Sequence, residues 1–198
     1  MSRCFLLLFV VLVTIASCKE PVYTPKPRGY PKIEFPDKGY DRFDAAYCDF
    51  TFEKPIYAAI IQDTLYFDGT PEHPCWFNLE IPILNGTIHC SYKPVNENNR
   101  LDEMINDAYK LANKHNIKAD FIDDFLVSNS NGVHGAILEI EGSVASPFQF
   151  YLTDSLSHFL RGSLYFNSRP EPDSMAPVIE FVKQDVIHMV NTFSFQKR

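Results

Sequence analysis

The sequence is poor in cysteine, in positive charge and in long apolar runs, and each shortage excludes a class of protein. Five cysteines among 198 residues are too few for a disulfide-dense scaffold. There are 18 Lys and Arg residues against 25 Asp and Glu residues, and the formal net charge is -7. A chain this acidic is a poor partner for nucleic acid, whose phosphates require a basic patch. The composition, 45% hydrophobic with 14% aromatic residues, is that of one globular domain and excludes a disordered, collagen-like or multi-pass membrane protein.

Residues 1–17 are typical of a secretory signal peptide. An apolar run over Phe5–Val13 follows a positively charged start, and it is too short to cross about 30 Å of hydrocarbon comfortably as a helix. The next residues, Ile15-Ala16-Ser17-Cys18, have the lipobox pattern of bacterial lipoproteins. The sequence therefore predicts cleavage between Ser17 and Cys18 and acylation of the Cys18 thiol; the alternative is a plain signal peptide whose cysteine is incidental. A diacylglyceryl, N-acyl anchor that includes palmitate would attach the chain to a membrane without spanning it.

An anchored domain of this kind lies outside the cytoplasm, where disulfides form. Three thiols remain in the mature chain, those of Cys48, Cys75 and Cys90. Cys90 lies on the inward face of a predicted strand and is interpreted as a buried small hydrophobe. Cys48 and Cys75 are therefore the candidate disulfide pair. No Cys/His spacing matches a zinc module and there is no phosphate loop or dinucleotide fingerprint, so we expect no metal and no cofactor.

Residues 18–40 form a proline-rich segment, with five prolines between Pro21 and Pro36. Proline is incompatible with a helix interior and favours polyproline II, so the segment is predicted to be an extended strap. One interpretation is a stiff spacer between the membrane and the domain. With Tyr23, Arg28 and Tyr30 among its residues, the segment is too apolar for a pure spacer, and a strap that docks on the domain or on a partner is the other interpretation.

Residues 41–198 are predicted to form a single α+β domain. Alternating apolar positions predict strands over residues 49–53, 56–62, 75–81, 87–92, 119–127, 133–141, 147–153 and 162–166. Helical spacing predicts an amphipathic helix over residues 100–114 and a closing helix capped by Asp173 or Ser174, with Pro177 in its first turn. Asn131-Gly132 is the strongest hairpin signal in the chain. Because hairpin-connected strands pair antiparallel, the predicted fold class is a mostly antiparallel sheet flanked by two or more helices.

Two of the predicted strands also carry predictions about individual side chains. His134 lies on the apolar face of the strand over 133–141, so we expect a buried, hydrogen-bonded histidine. Phe121 and Phe125 share one face of the strand over 119–127 with Val127, as residues of an apolar strand face do.

The densest polar cluster is the segment 153–162, which contains aspartate, serine and histidine, the residue types of a hydrolytic triad. The Gly-x-Ser-x-Gly turn that presents a serine nucleophile is absent from it. The spacing of its apolar residues instead predicts one helical turn capped by Asp154 or Ser155, which would place His158 and Arg161 on one face. We therefore expect no catalytic residue and no enzyme.

A set of short segments runs in order over nearly the whole mature chain. They are the lipobox with Cys18, residues 23–31 (YTPKPRGYP), 75–78 (CWFN), 91–94 (SYKP), 114–120 (KHNIKAD), 142–150 (GSVASPFQF), 152–155 (LTDS), 158–162 (HFLRG), 164–166 (LYF), 172–174 (PDS) and 176–178 (APV). Each segment is weak alone, but the ordered set is specific and resembles the gliding-motility lipoprotein GldD family of Bacteroidota. Ser163 is a modest departure, because the resemblance leads us to expect a small residue such as alanine there.

The resemblance implies a lipid-anchored envelope protein that is required for gliding motility and is tied to the type IX secretion machinery. It carries over no catalytic residue. We expect the protein to assemble or stabilise that machinery, with other gliding-motility and secretion proteins as partners. The residues of the candidate interaction surface are Tyr23, Arg28, Tyr30, Asp154, Ser155, His158 and Arg161.

The absence of aspartate directly after Cys18 favours the outer membrane, with the domain facing the periplasm. Two alternatives to an assembly factor remain open. One is an extracytoplasmic hydrolase that uses Ser155 or Ser157 with His158, and the other is a module that binds peptidoglycan or lipid. The alternation and the closing helix are similar, by analogy alone, to small extracytoplasmic domains such as the PsbP-like fold.

Overall fold

The computed structural model describes Gly29, residues 32–64 and residues 69–196. The predicted signal peptide, the cleavage and lipidation site at Ser17 and Cys18, and the strap residues Tyr23, Arg28 and Tyr30 lie outside the described residues and remain predictions. The described chain forms, in order, β1 (Tyr40–Asp44), β2 (Phe50–Pro55), β3 (Ala59–Gln62), β4 (Phe77–Ile81), β5 (Gly86–Pro94), α1 (Leu101–Asn113), β6 (Ala119–Ser128), β7 (His134–Gly142), β8 (Phe148–Thr153), β9 (His158–Phe166), α2 (Pro172–Thr192) and β10 (Ser194–Phe195).

The strands form two sheets in which neighbouring strands are antiparallel. The larger sheet has seven strands in the order β3-β4-β5-β9-β8-β7-β6, and the smaller has three in the order β1-β2-β10. Hairpins connect β4 to β5, β6 to β7 and β8 to β9, and the second of these lies at the predicted Asn131-Gly132 turn. The predicted fold class, a mostly antiparallel sheet flanked by two helices in a single α+β domain, is confirmed.

The main hydrophobic core lies between one face of the large sheet, helix α2 and the small sheet. From β8, the inward side chains are those predicted by alternation, Phe148, Phe150 and Leu152, and all three are buried. They meet the apolar stripe of α2, which includes Val182, Val186 and Met189. The small sheet contributes Phe50 and Phe52, whose rings stack with that of Phe193 at centroid distances of 5.3 and 5.6 Å. Stacked aromatic rings thus fill the core where the two sheets meet.

Helix α1 packs on the opposite face of the large sheet. Its buried residues Met104 and Ala108 contact Ala136, Tyr151 and Phe159, which belong to β7, β8 and β9. Ala112, one turn further along, packs in a second small cluster with residues of β7. Of the described residues, α1 therefore covers the β7–β9 part of this face, whereas the part formed by β4, β5 and β9 borders a groove.

A buried carboxylate ties the segment before β1 to helix α2. Asp185 of α2 is only 2% exposed, and its Oδ1 atom lies 2.6 Å from Lys38 Nζ. Two phenols also donate to this carboxylate, Tyr40 at 3.0 Å and Tyr57 at 2.5 Å. Lys38 also donates to the Phe181 carbonyl oxygen at 2.8 Å and sits 3.4 Å above the centre of the Phe181 ring. We call these four residues, Lys38, Tyr40, Tyr57 and Asp185, the Asp185 clasp.

The structure joins Cys48 and Cys75 in a disulfide, the pair proposed from the sequence, with a Cα–Cα distance of 5.5 Å. Cys48 lies just before β2 of the small sheet, and Cys75 lies just before β4 of the large sheet. The disulfide therefore crosslinks the two sheets. Cys90 is a buried free cysteine, as predicted, and burial raises the pKa of its thiol, so it stays protonated at neutral pH.

Two local predictions are wrong. Helix α2 begins at Pro172 with Glu171 as its N-cap and no side-chain cap bond, so neither Asp173 nor Ser174 caps it and Pro177 lies inside the helix. His134 is exposed rather than buried, because β7 begins there, at the hairpin end of the strand. The prediction that Phe121 and Phe125 share a face is confirmed. Both side chains are exposed, because β6 is the edge strand of the large sheet.

Candidate functional site

The polar cluster of segment 153–162 forms the tight turn between β8 and β9. Asp154 Oδ1 accepts hydrogen bonds from the backbone N–H groups of Leu156, Ser157 and His158 at 3.0, 2.8 and 2.9 Å. Burial tends to raise the pKa of Asp154, but these three bonds and the nearby His158 outweigh it, and the pKa is lowered. Ser155 has a φ of 64°, in the left-handed region. Asp154 therefore caps a turn, as its residue type predicts, although the turn is not helical.

The prediction of a helical turn over residues 156–160 is wrong, because strand β9 already begins at His158. Its apolar residues fit a buried strand as well as a helical turn, and pairing with β5 and β8 decides between the two. On a strand, residues three apart lie on opposite faces. His158 and Arg161 are therefore on opposite faces of the large sheet, and the candidate surface that combined them is not one surface.

His158 is held between the turn and the core. Its Nδ1 atom is 2.6 Å from the Tyr92 hydroxyl, and its ring stacks on Phe195 at a centroid distance of 5.0 Å. Its Nε2 atom is 4.0 Å from Asp154 Oδ2. Burial, with the charges of Asp49 and Asp154, raises the pKa of Tyr92 to about 12, so the phenol stays protonated. This environment fixes the position of the imidazole.

No hydrolytic triad is assembled at this turn within the described residues. Each nitrogen of His158 faces a partner, Tyr92 on one side and Asp154 on the other, and neither Ser155 nor Ser157 makes a side-chain hydrogen bond to it. A serine nucleophile requires a base within about 2.6–3.2 Å of its hydroxyl. The geometry of segment 153–162 is that of a structural turn.

Arg161 lines a groove on the opposite face of the large sheet. The groove has a volume of about 420 Å³ and lies over β4, β5 and β9. Arg161 Nη2 donates to Gln149 Oε1 at 2.8 Å. The other lining residues are Asp63, Trp76, Asn78, His89, Cys90, Ser91, Ser163 and Tyr165. We call this cavity the Arg161 groove.

A polar row runs along the floor of the Arg161 groove and continues to Gln149 on β8. Strand register places Asn78 opposite His89, His89 opposite Ser163, and Ser163 opposite Gln149. The His89 Nδ1 atom lies 2.7 Å from Asn78 Oδ1. Sequence patterns do not reveal this row, because its members occupy the polar positions of strands that alternation assigns to solvent. Only the pairing of four strands brings them together.

The edge strand β6 forms a second candidate surface. Its residues Phe121, Phe125 and Leu126 are exposed, Leu126 to 82%. A groove of about 350 Å³ lies between β6 and α2, lined by Phe125, Val127, Ile137 and Ile187 among others. A neighbouring groove of about 390 Å³ shares Glu139 and Lys183 with it. We call β6 together with these two grooves the β6 edge.

The β6 edge is acidic. The larger of its two grooves is lined by five carboxylates, those of Asp120, Glu139, Glu141, Asp173 and Glu180, and by one cation, Lys183. Lys183 Nζ is 2.5 Å from Glu139 Oε1, so its charge is already neutralised. Asp123 and Asp124 of β6 add further negative charge beside the exposed phenylalanines.

No group of three or more histidine, cysteine or acidic residues in the described ranges is arranged to hold a metal ion. Among the helices in the part of the chain that the structure describes, none is both long and apolar enough to span a membrane.

The fold and its contacts define a class of protein: a small antiparallel α+β domain, crosslinked by a disulfide, with grooves on its sheet and no assembled catalytic triad among its described residues. The sequence matches the family model of the gliding motility lipoprotein GldD over residues 20–195. Since this match spans most of the chain, the protein belongs to that family of membrane-anchored gliding motility lipoproteins. No curated relative matches the sequence. A solved structure with a similar arrangement is that of cyanobacterial PsbP (CyanoP) from Synechocystis sp. PCC 6803, with 9% identity and a TM-score of 0.45 over 81% of this chain and 94% of that one.

Proposed function

We propose that this lipoprotein is a non-catalytic assembly factor, which docks on a component of the gliding and type IX secretion machinery through its β6 edge. The observation that carries the proposal is the open strand β6. It is ten residues long and pairs with β7 alone among the described strands. Long edge strands with exposed apolar side chains are sites where a partner adds a strand, and soluble proteins usually protect them.

The partner that fits the β6 edge is an extended segment with basic and apolar residues in alternation. Its backbone would extend the sheet, its apolar side chains would contact Phe121 and Phe125, and its basic side chains would meet the carboxylates of the neighbouring groove. Membership of a gliding motility family supports a partner from the motility apparatus. In this proposal Cys18 anchors the domain to the outer membrane, facing the periplasm, through palmitate and diacylglyceryl groups, in a bacterium of the Bacteroidota.

The experiment is site-specific photo-crosslinking in cells that express the full, lipidated chain. A photoreactive residue replaces Phe121 on the β6 edge, or Ile83 as a matched exposed apolar site after β4. We expect the Phe121 position to crosslink to a motility or secretion protein through a basic segment, and the Ile83 position not to do so. Equal crosslinking at both positions, or none at Phe121, contradicts the proposal.

Charge reversal gives a second test. Asp120→Lys with Asp123→Lys should abolish the crosslink and gliding together, whereas Asp44→Lys, a charge reversal on the small sheet, should leave both intact.

A further variant, His158→Ala, distinguishes a role in assembly from a role in catalysis when complex formation is measured beside motility. Loss of gliding with an intact complex would favour the hydrolase alternative over the assembly factor.

A further inference from the structure

Two buried polar groups at the Arg161 groove have no partner within the described chain; one of them lines the groove and the other lies beside it. Ser163 is 3% exposed and its Oγ atom makes no hydrogen bond. Gln149 is 1% exposed and its Nε2 atom makes none either. The two residues are directly paired across β8 and β9. Burying such groups unpaired is costly, so a partner from outside the described chain would stabilise them.

The unpartnered groups are donors. Arg161 can only donate, so the Gln149 atom that faces it must be the carbonyl oxygen, and the group left over is the amide N–H₂. The Ser163 hydroxyl can also donate, and the guanidinium of Arg161 adds a permanent positive charge beside both. Two donors and a cation are complementary to an anionic oxygen group. Asp63 opposes this charge from the far side of the groove, next to β3, with β4 and β5 between it and β9.

The walls of the groove indicate what the remainder of the ligand would contain. Trp76 and Tyr165 present aromatic surface, and the volume of about 420 Å³ lies in the range of small-molecule sites. We propose that the Arg161 groove binds a small molecule that carries an anionic oxygen group next to an apolar or ring-shaped body. The oxygen group contacts Ser163 and Arg161, which Gln149 holds from beside the groove, and the body lies against Tyr165. This inference does not depend on the proposed docking at the β6 edge, which lies at the other end of the large sheet.

The test is titration of the full lipidated chain, purified in detergent, with three probes. Benzoate supplies a carboxylate with a ring, inorganic phosphate supplies the other common oxyanion, and benzamide is the neutral match of benzoate. We expect saturable binding of benzoate or phosphate by calorimetry in the millimolar range, and at least tenfold weaker binding of benzamide. Which anion binds more tightly distinguishes the two sources of oxyanion.

Two variants distinguish a ligand-binding role of these residues from a purely structural role. Ser163→Ala should weaken binding several-fold without lowering the melting temperature, because the hydroxyl has no internal partner to lose. Arg161→Gln should weaken binding about tenfold or more, the effect of removing a charge-assisted hydrogen bond. The matched controls Ser128→Ala and Arg42→Gln should bind as the native chain does. Absence of saturable binding for both anions, equal binding of benzamide, or a Ser163→Ala variant that is destabilised but binds normally would overturn the inference.

Discussion

Removing the carboxylate of the Asp185 clasp should destabilise the whole domain. In Asp185→Ala the Lys38 ammonium and two phenols would lose a shared acceptor that is 2% exposed. Breaking a buried ion pair by deleting one partner costs about 3–5 kcal/mol. Lys38 keeps its bond to the Phe181 carbonyl and has a side chain that is 28% exposed, so we expect the lower end, about 3 kcal/mol. For a domain of this size that corresponds to a drop in melting temperature of about 6–12 °C.

Urea unfolding can be followed through the single tryptophan, Trp76, which is buried. The matched control is Glu180→Ala, an exposed carboxylate on the same helix, for which we expect a change within about 0.5 kcal/mol. A double variant, Lys38→Met with Asp185→Leu, should recover part of the loss, since an apolar pair can replace a buried ion pair. The reasoning would be refuted if Asp185→Ala cost no more than Glu180→Ala.

Three further predictions concern pH, the disulfide and the β8–β9 turn. Burial and the bond to Asp185 raise the pKa of Tyr40 to about 12. The contribution of Tyr40 to stability should therefore be complete below about pH 10 and lost as the pH rises towards 12. In urea titrations Tyr40→Phe should make this alkaline loss of stability smaller but not abolish it, because the pKa of Tyr57 is raised by the same carboxylate. Cys48→Ser opens a loop with a sequence separation of 27 and should cost about 3.5 kcal/mol in calorimetry under oxidising conditions, with no further loss on adding reductant. Asp154→Ala removes the acceptor of three backbone N–H groups and should cost about 1–2 kcal/mol at pH 7. Because the pKa of Asp154 is lowered in the folded state, the difference in unfolding free energy between Asp154→Ala and the native chain should vanish as the pH falls through that pKa. A difference that stays constant down to low pH would contradict this account.

Elements with a strong local pattern could be predicted from the sequence. The helix predicted over 100–114 is observed at Leu101–Asn113, because its apolar residues recur at helical spacing along one face. Strand β4 likewise buries Phe77, Leu79 and Ile81 in strict alternation. The disulfide could be proposed because the strand pattern assigned Cys90 to the core and left one pair.

The features of the fold and the site that could not be predicted from the sequence depend on contacts between distant segments. The start of β9 at His158 is decided by its pairing with β5, more than sixty residues earlier, and local spacing there fits two structures. The exposure of Phe121 follows from the position of β6 at the sheet edge, which no pattern within the strand encodes. The groove row from Asn78 to Gln149 needs the register of four strands at once. For the same reason helical spacing groups Arg161 with His158, three residues away, whereas the strand places Arg161 on the same face as Ser163.

The disulfide between the two sheets has a consequence for export. Thiols remain reduced in the cytoplasm, so a precursor there would lack the crosslink between Cys48 and Cys75 and about 3.5 kcal/mol of stability with it. A translocation channel that takes unfolded chains would meet a domain that opens more readily. Once the chain reaches an oxidising compartment, closing the bond secures the fold. In a chain exported in this way, the disulfide would be absent during transport and would form at the destination.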